Sequence, residues 1–330
     1  MTYFPAPRSA LILATLLAAA STLAVGPVAA SPATGDFSGL VDIGGRSLYL
    51  ECRGEGSPTV ILESGAGGRA DVWSRDLSRP VGERTMVEQG VAAFTRVCAY
   101  DRPGTLGEVN PELDPDGPEF FPSRSDPVPQ PRTTRDVMND LHALLTAAAI
   151  PGPYVLAGHS AGGLSQRLYA STYPDDVVGM VLIDSTHENI YHDFQNALTP
   201  AQWAKFEAAN TDQIELLAAY PDAEELFTAP LPDTPSLAQV REARQRGPLH
   251  PMPLFVLAHG IPFAAPTTDW PTDSMERIMY AAQQDIATLV PDARLVTATK
   301  SGHNIHQDQP ELVIDAIAQV VTAVRDPSTW

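Results

Sequence analysis

The chain has 330 residues, 40 acidic side chains against 21 basic ones, a formal charge of −19 and two cysteines. That length suits one large catalytic domain with an insertion and can bury a substantial core. So acidic a chain is unsuited to neutralising nucleic-acid phosphates or docking electrostatically on anionic membranes, and the charge says nothing sharper about a small-molecule partner.

Residues 1–30 carry one basic residue, Arg8, then an apolar run from Ala10 to Val25, and Val28-Ala29-Ala30 before a polar segment. The pattern predicts a signal peptide cleaved near Ala30, and so a secreted protein, extracellular or periplasmic, with no stable membrane insertion afterwards. The run is short and Ala-rich for a membrane span. Strand-like runs follow at Ser47 to Cys52, at Val60 to Leu62 before the glycine-rich Ser64-Gly65-Ala66-Gly67-Gly68, and at Arg96 to Tyr100 before Asp101-Arg102-Pro103-Gly104. Between Gly104 and Arg132 the proline density forbids a regular helix. A long ordered loop is expected there, with Phe120 and Phe121 either facing a pocket or pinning the loop.

Residues 154–163 read Tyr-Val-Leu-Ala-Gly-His-Ser-Ala-Gly-Gly. An apolar run ends in Gly158-His159-Ser160-Ala161-Gly162, and a helical segment follows. A serine on so sharp a strand-to-helix turn projects its hydroxyl. The free N–H groups of the following helix point at the same spot and can stabilise an oxyanion. Ser160 is therefore the candidate nucleophile, with His159 beside it as a possible pocket residue. Gly179 to Asp184 is a further strand.

The segment from Thr186 to His250 carries helical patches at Ala201 to Ala209, at Asp212 to Ala219 and, with alternating charge and a solvent-facing reading, at Leu237 to Arg246. His187, Glu188, His192 and Asp193 lie close in sequence, but no His-Glu-x-x-His appears. They read as polar residues leading into the insertion, with His187 a possible pocket residue, and no metal or other cofactor is expected. Strands at Pro253 to His259 and Arg294 to Ala298 lead to Ser301-Gly302-His303, His306, and an amphipathic helix from Glu311 to Val324. A neutral His303 ring on a loop tip can take the serine proton and return it to a leaving group. His306 is read as ordering that loop.

The elbow, the glycine-rich loop, the Asp-Arg-x-Gly turn and the late Gly-His loop, in this order, resemble the α/β-hydrolase superfamily over residues 38–324. The resemblance implies an α/β fold with a mostly parallel, doubly wound sheet. Residues 31–185 and 251–330 would form its core and 186–250 a small helical cap. It also implies oxyanion donors at the Ala66 and Ala161 N–H groups. Ser64 departs from the usual His-Gly of that loop. The acid partner favoured for His303 is Asp184, which ends a strand, with Asp269 and Asp273 as the alternatives. Most members place it after the following strand, which here ends in Leu257-Ala258-His259-Gly260. In such a sheet the strands carrying Cys52 and Cys98 are neighbours, so the resemblance implies that a disulfide can form. The activity implied is carboxylic ester hydrolysis through a Ser-His-Asp triad. The alternatives are an aminopeptidase or amidase, with Glu188 or a cap carboxylate clamping a substrate amine, and a non-catalytic binding protein on a hydrolase scaffold.

Overall fold

A computed structural model describes residues 33–79, 83–108, 120–217, 231–263 and 270–330, with only the helical backbone given for 211–217. The expected signal peptide, Asp269, the first part of the proline-rich loop and the face formed by Ile214, Leu217 and Ala218 lie outside the described side chains. In chain order the elements are β1 (Phe37–Asp42), β2 (Ser47–Arg53), β3 (Thr59–Glu63), α1 (Val87–Ala92), β4 (Val97–Tyr100), β5 (Leu106–Glu108) and β6 (Phe120–Pro122). Next come α2 (Thr134–Ala147), β7 (Tyr154–His159), α3 (Ala161–Thr172), β8 (Val177–Ile183), α4 (Ile190–Ala197), α5 (Pro200–Leu217) and α6 (Pro235–Arg246). The chain closes with β9 (Leu254–His259), α7 (Thr272–Ile286), β10 (Arg294–Ala298), α8 (Ile305–Asp308) and α9 (Pro310–Arg325).

Eight strands form one sheet in the order β1-β2-β4-β3-β7-β8-β9-β10. Pairing is parallel from β4 onward, while β1 with β2 and β2 with β4 are antiparallel. β3, β7 and β9 are buried at every position, as strands covered on both faces must be. Period-two alternation divides each strand between two cores. In β3, Ile61 joins Leu141 and Leu144 of α2 and Leu164 and Leu168 of α3. Val60 and Leu62 turn the other way, to Val87 and Val91 of α1 and Val313, Ile317 and Val320 of α9. The α/β fold with a mostly parallel, doubly wound sheet is thus observed.

Cys52 and Cys98 face each other across β2 and β4 and form a disulfide. α2 starts at a capping box in which the Thr133 hydroxyl accepts from the Asp136 N–H and the Asp136 carboxylate accepts from the Thr133 N–H.

Two readings of the insertion change. α6 is not a purely solvent-facing helix: Leu237, Val240 and Ala243 recur on one face and pack into the core shared with α2 and α3. Charged residues interleave with this short stripe and mask it in the sequence, and two of them, Arg241 and Arg244, turn inward to Glu188. The two patches expected between Ala201 and Ala219 are one helix, α5, as far as the chain is described. The proline-rich stretch holds two three-residue strands, β5 and β6, paired antiparallel and too short to show a period. A third apolar cluster, with Ile190 and Phe194 of α4, Trp203 near the start of α5 and Met275 of α7, lies apart from the two cores.

Candidate active site

The C-terminal ends of β3, β7, β8, β9 and β10 lie side by side, the place where parallel α/β sheets bind ligands. Ser160 follows β7 with φ 52° and ψ −121°, a backbone conformation that side-chain-bearing residues rarely adopt. The glycines around it are required by contact. A Cβ on Gly158 would come within 2.7 Å of the Gly163 backbone, and one on Gly162 would run into the Glu63 and Ser64 carbonyls. Strand, turn and helix can cross this closely only without those atoms. The Ser160 N–H donates to the Ile183 carbonyl at 3.1 Å, and the Thr186 N–H donates to the Ser160 carbonyl at 3.1 Å, tying the turn to the end of β8.

Asp184 follows β8, also at positive φ (44°). Its N–H donates to the Leu257 carbonyl at 2.7 Å. The His303 Nδ1 lies 2.6 Å from its Oδ2. Burial disfavours the Asp184 charge, but hydrogen bonds from His259 and His303 outweigh it and hold the carboxyl below the usual aspartate range. His303 is placed by its neighbours: the ring of His159 donates through Nε2 to the His303 carbonyl at 2.9 Å. Asp308 accepts from the Gly302 N–H and the Ser301 hydroxyl in the same loop. His306 is buried between Trp73 and His159, with ring centroids 4.9 and 4.5 Å away. Burial, and the nearby His303, push His306 down to about 3. Burial likewise keeps His159 well below the ordinary histidine value, so both rings are neutral packing groups at pH 7.

The loop after β3 lies against the elbow, where a Cβ on Gly65 would come 3.2 Å from the Ser160 Cβ. The buried Arg102 guanidinium donates to the Ser64 carbonyl at 2.8 Å and to the Gly65 carbonyl at 2.6 Å. Those two carbonyls are thereby committed. Ala161 opens α3, so its N–H is among the first-turn groups a helix leaves unbonded.

Ser160, Asp184, His187 and His303 share a cavity of about 390 Å³ whose outer walls are Tyr191 and Phe194 of α4, Phe206 of α5, Trp270, and Met275 and Met279 of α7. Other expected site residues are elsewhere. His159 is behind the elbow. Phe120 and Phe121 are held in the β5–β6 ribbon, where the Phe121 ring lies under the Arg69 and Arg75 guanidinium groups, each 5.4 Å from its centroid. Asp273 sits in the first turn of α7, outside the cavity lining. Glu188 is also absent from that lining. Its carboxylate is paired with Arg167 and Arg244, next to His187 and Asp285. Burial opposes the Glu188 charge, but Arg167, His187 and Arg244 bring it to about 2. Two guanidinium groups therefore supply the positive charge that a bound cation would.

A model of the alpha/beta hydrolase family matches residues 60–316, well over half of the chain. The chain belongs to that family. Among curated relatives, an "AB hydrolase superfamily protein" of Gibberella zeae is 23% identical over 328 residues, covering 85% of this chain and 92% of its own length. A "Probable transporter efuK" of Hormonema carpetanum is 28% identical over 159 residues, 46% of this chain; the match spans only 19% of that longer protein. Among solved structures, Cfl2 from Burkholderia cenocepacia superposes with a TM-score of 0.54 at 17% identity, covering 87% of this chain and 96% of that one, a likeness of fold.

This α/β hydrolase also has a second histidine on Asp184, which the sequence reading left as a strand end. His259 Nδ1 lies 2.8 Å from Asp184 Oδ1 and 2.9 Å from Oδ2, and its Nε2 lies 2.8 Å from Glu276 Oε2. Its signal in the sequence was its position: it closes the strand after which most of the family carries the acid. Two imidazoles thus compete for one carboxylate, and exposure separates them. His303 opens on the Ser160 cavity, whereas His259 is buried and absent from its lining.

Proposed function

We propose that this family member is an exported serine hydrolase that cleaves carboxylic esters with an apolar acyl group. One arrangement above all supports the reading: the 2.6 Å contact between His303 and Asp184 at the wall of the cavity that contains Ser160. The Ser160 hydroxyl attacks the acyl carbon while the far ring nitrogen of His303 takes its proton. Asp184 accepts the Nδ1–H, fixes the tautomer and stabilises the imidazolium. The Ala66 and Ala161 N–H groups hold the developing oxyanion. The tetrahedral adduct collapses as His303 returns the proton to the departing alcohol, leaving an acyl-Ser160 ester. His303 then deprotonates water, which attacks that ester and releases the acid.

The cavity lining supports an apolar acyl group. Its volume of about 390 Å³ lies at the small end of the range for small-molecule sites. Of the carboxylates that could clamp a substrate amine, Glu188 is bound to two arginines, which counts against an amine-binding peptidase that relies on it. α4 and α5, with α7 of the core, act as the cap over Ser160 and exclude water from it.

The test is turnover of p-nitrophenyl esters from acetyl to palmitoyl by the purified protein and by Ser160→Ala. The expected result is hydrolysis that falls at least a thousandfold in Ser160→Ala, with shorter acyl chains preferred over palmitoyl, as a cavity at the small end of the ligand-site range favours. Labelling by a fluorophosphonate without ester turnover would keep the nucleophile and overturn the ester assignment. Neither turnover nor labelling would favour the non-catalytic binding protein.

A further inference from the structure

We propose that His259 and Glu276 are positioning residues for the reaction: a charged imidazole, clamped between two carboxylates, holds Asp184 ionised and sets the pH at which His303 acts as base. The inference rests on Ser160, His303 and Asp184 acting as proposed above. It starts from geometry. Asp184 Oδ1 accepts from both the N–H and the ring Nδ1 of His259, at 3.2 and 2.8 Å, so the carboxylate is gripped from β9 on one side and from the His303 loop on the other. For a ring nitrogen to donate to Asp184 while the other faces Glu276 at 2.8 Å, both nitrogens must carry protons, because an ionised carboxylate only accepts.

The groups facing His259 come from each element around it. They are Asp184 after β8, Glu276 on α7, and His303 across Asp184; Arg277 and Tyr280 of α7 share with it a second cavity on its far side. Burial opposes the His259 charge, yet the bonds to Asp184 and then Glu276 prevail and raise it to about 9. Glu276 does two further things. Its other oxygen accepts from the Phe263 N–H at 2.9 Å, and the Phe263 ring stands 5.1 Å from that of His303. The loop after β9, the acid and the base are therefore joined through one clamp.

Removing the His259 charge leaves Asp184 acting on His303 alone. The protonated form of His303 gains, and a higher pH is needed to free the base. Removing the Glu276 charge works in the opposite sense, because Asp184, the stronger partner, still keeps His259 protonated where the acid limb lies, and one negative charge near the protonated His303 is lost. The experiment measures the pH dependence of kcat and KM, and of the fluorophosphonate labelling rate of Ser160, in the full chain and in His259→Asn and Glu276→Gln. Asn keeps an N–H near the Nδ1 position but carries no charge. The acid limb is expected to move up by about one pH unit in His259→Asn and down by a smaller step in Glu276→Gln, with KM little changed in His259→Asn. An unmoved acid limb in a His259→Asn protein that labels to full stoichiometry overturns the proposal. Should that variant not fold, an unmoved or upward-shifted limb in Glu276→Gln overturns it instead. Labelling reads the base without any ester. Wild-type labelling with the stated shifts but no ester turnover would refute the ester assignment and support the clamp, and a wild type that never labels refutes both.

Discussion

At the scale of single residues, the elbow and the buried histidines set opposing demands on stability. Ser160 is held at φ 52° and ψ −121°, which glycine tolerates far better than serine. Ser160→Gly is expected to abolish hydrolysis while raising stability by roughly 1 kcal/mol, read as a higher urea midpoint at unchanged slope. The histidines act through proton linkage. His306, held at about 3 against an unfolded value near 6.5, contributes stability that is complete above pH 6.5 and lost as pH falls toward 3. His259, held at about 9, contributes stability that is complete below pH 6.5 and lost as pH rises through 9. Equilibrium unfolding across pH should show a maximum close to neutrality. In His259→Asn the alkaline decline should flatten and the acid decline remain; an unaltered alkaline decline would refute the charge assigned to His259.

At the scale of elements, the antiparallel end of the sheet relies on the covalent link between β2 and β4. Cys52 and Cys98 are directly opposed partners, 46 residues apart in the chain. Closing a loop of that length restricts the unfolded chain by an amount equivalent to about 4 kcal/mol. The double variant Cys52→Ala/Cys98→Ala is therefore expected to unfold at markedly lower urea concentration, with ester turnover per folded molecule kept because β3 stands between the pair and the Ser160 strand and neither cysteine lines the cavity. An equal midpoint with and without reductant would count against this. Elements also explain what the sequence concealed. α6 has only three buried apolar positions, Leu237, Val240 and Ala243, among arginines and glutamines, so its charges dominate any reading of the segment. β5 and β6 have three residues each, too few for a period to register.

At the scale of the whole molecule, the cavity exists only because segments far apart in the chain converge. Tyr191 and Phe206 come from α4 and α5, and Trp270 and Met279 from the later segment that enters and forms α7, with the Phe206 and Trp270 rings stacked at a centroid distance of 6.2 Å. Phe206→Ala removes one wall and should shift the acyl optimum to longer chains, raising the dodecanoyl-to-butyryl ratio of kcat/KM about tenfold, the value of one or two well-packed methylenes. An unchanged ratio would mean the acyl chain lies elsewhere.

The local sequence was enough to mark the strand–serine–helix turn and the apolar strands, because each rests on short-range chemistry: glycines where backbones cross, and apolar runs bounded by turns. The α/β class and the parallel sheet came from the family resemblance that those motifs carry in their order. The local sequence also marked His303 as a loop histidine of interest. It favoured Asp184 but could not dismiss Asp269 and Asp273 as the partner of His303, since contact between residues 119 positions apart depends on strand order and register. It left Phe120 and Phe121 open between facing a pocket and pinning the loop, and they lie in a separate ribbon. It also gave no hint that Glu188 would be neutralised by Arg167 and Arg244, or that His259 would share Asp184 with His303. Charge pairing of that kind is decided by which side chains the folded sheet brings within hydrogen-bonding distance. No spacing along the chain encodes it, and only the tertiary structure supplied it.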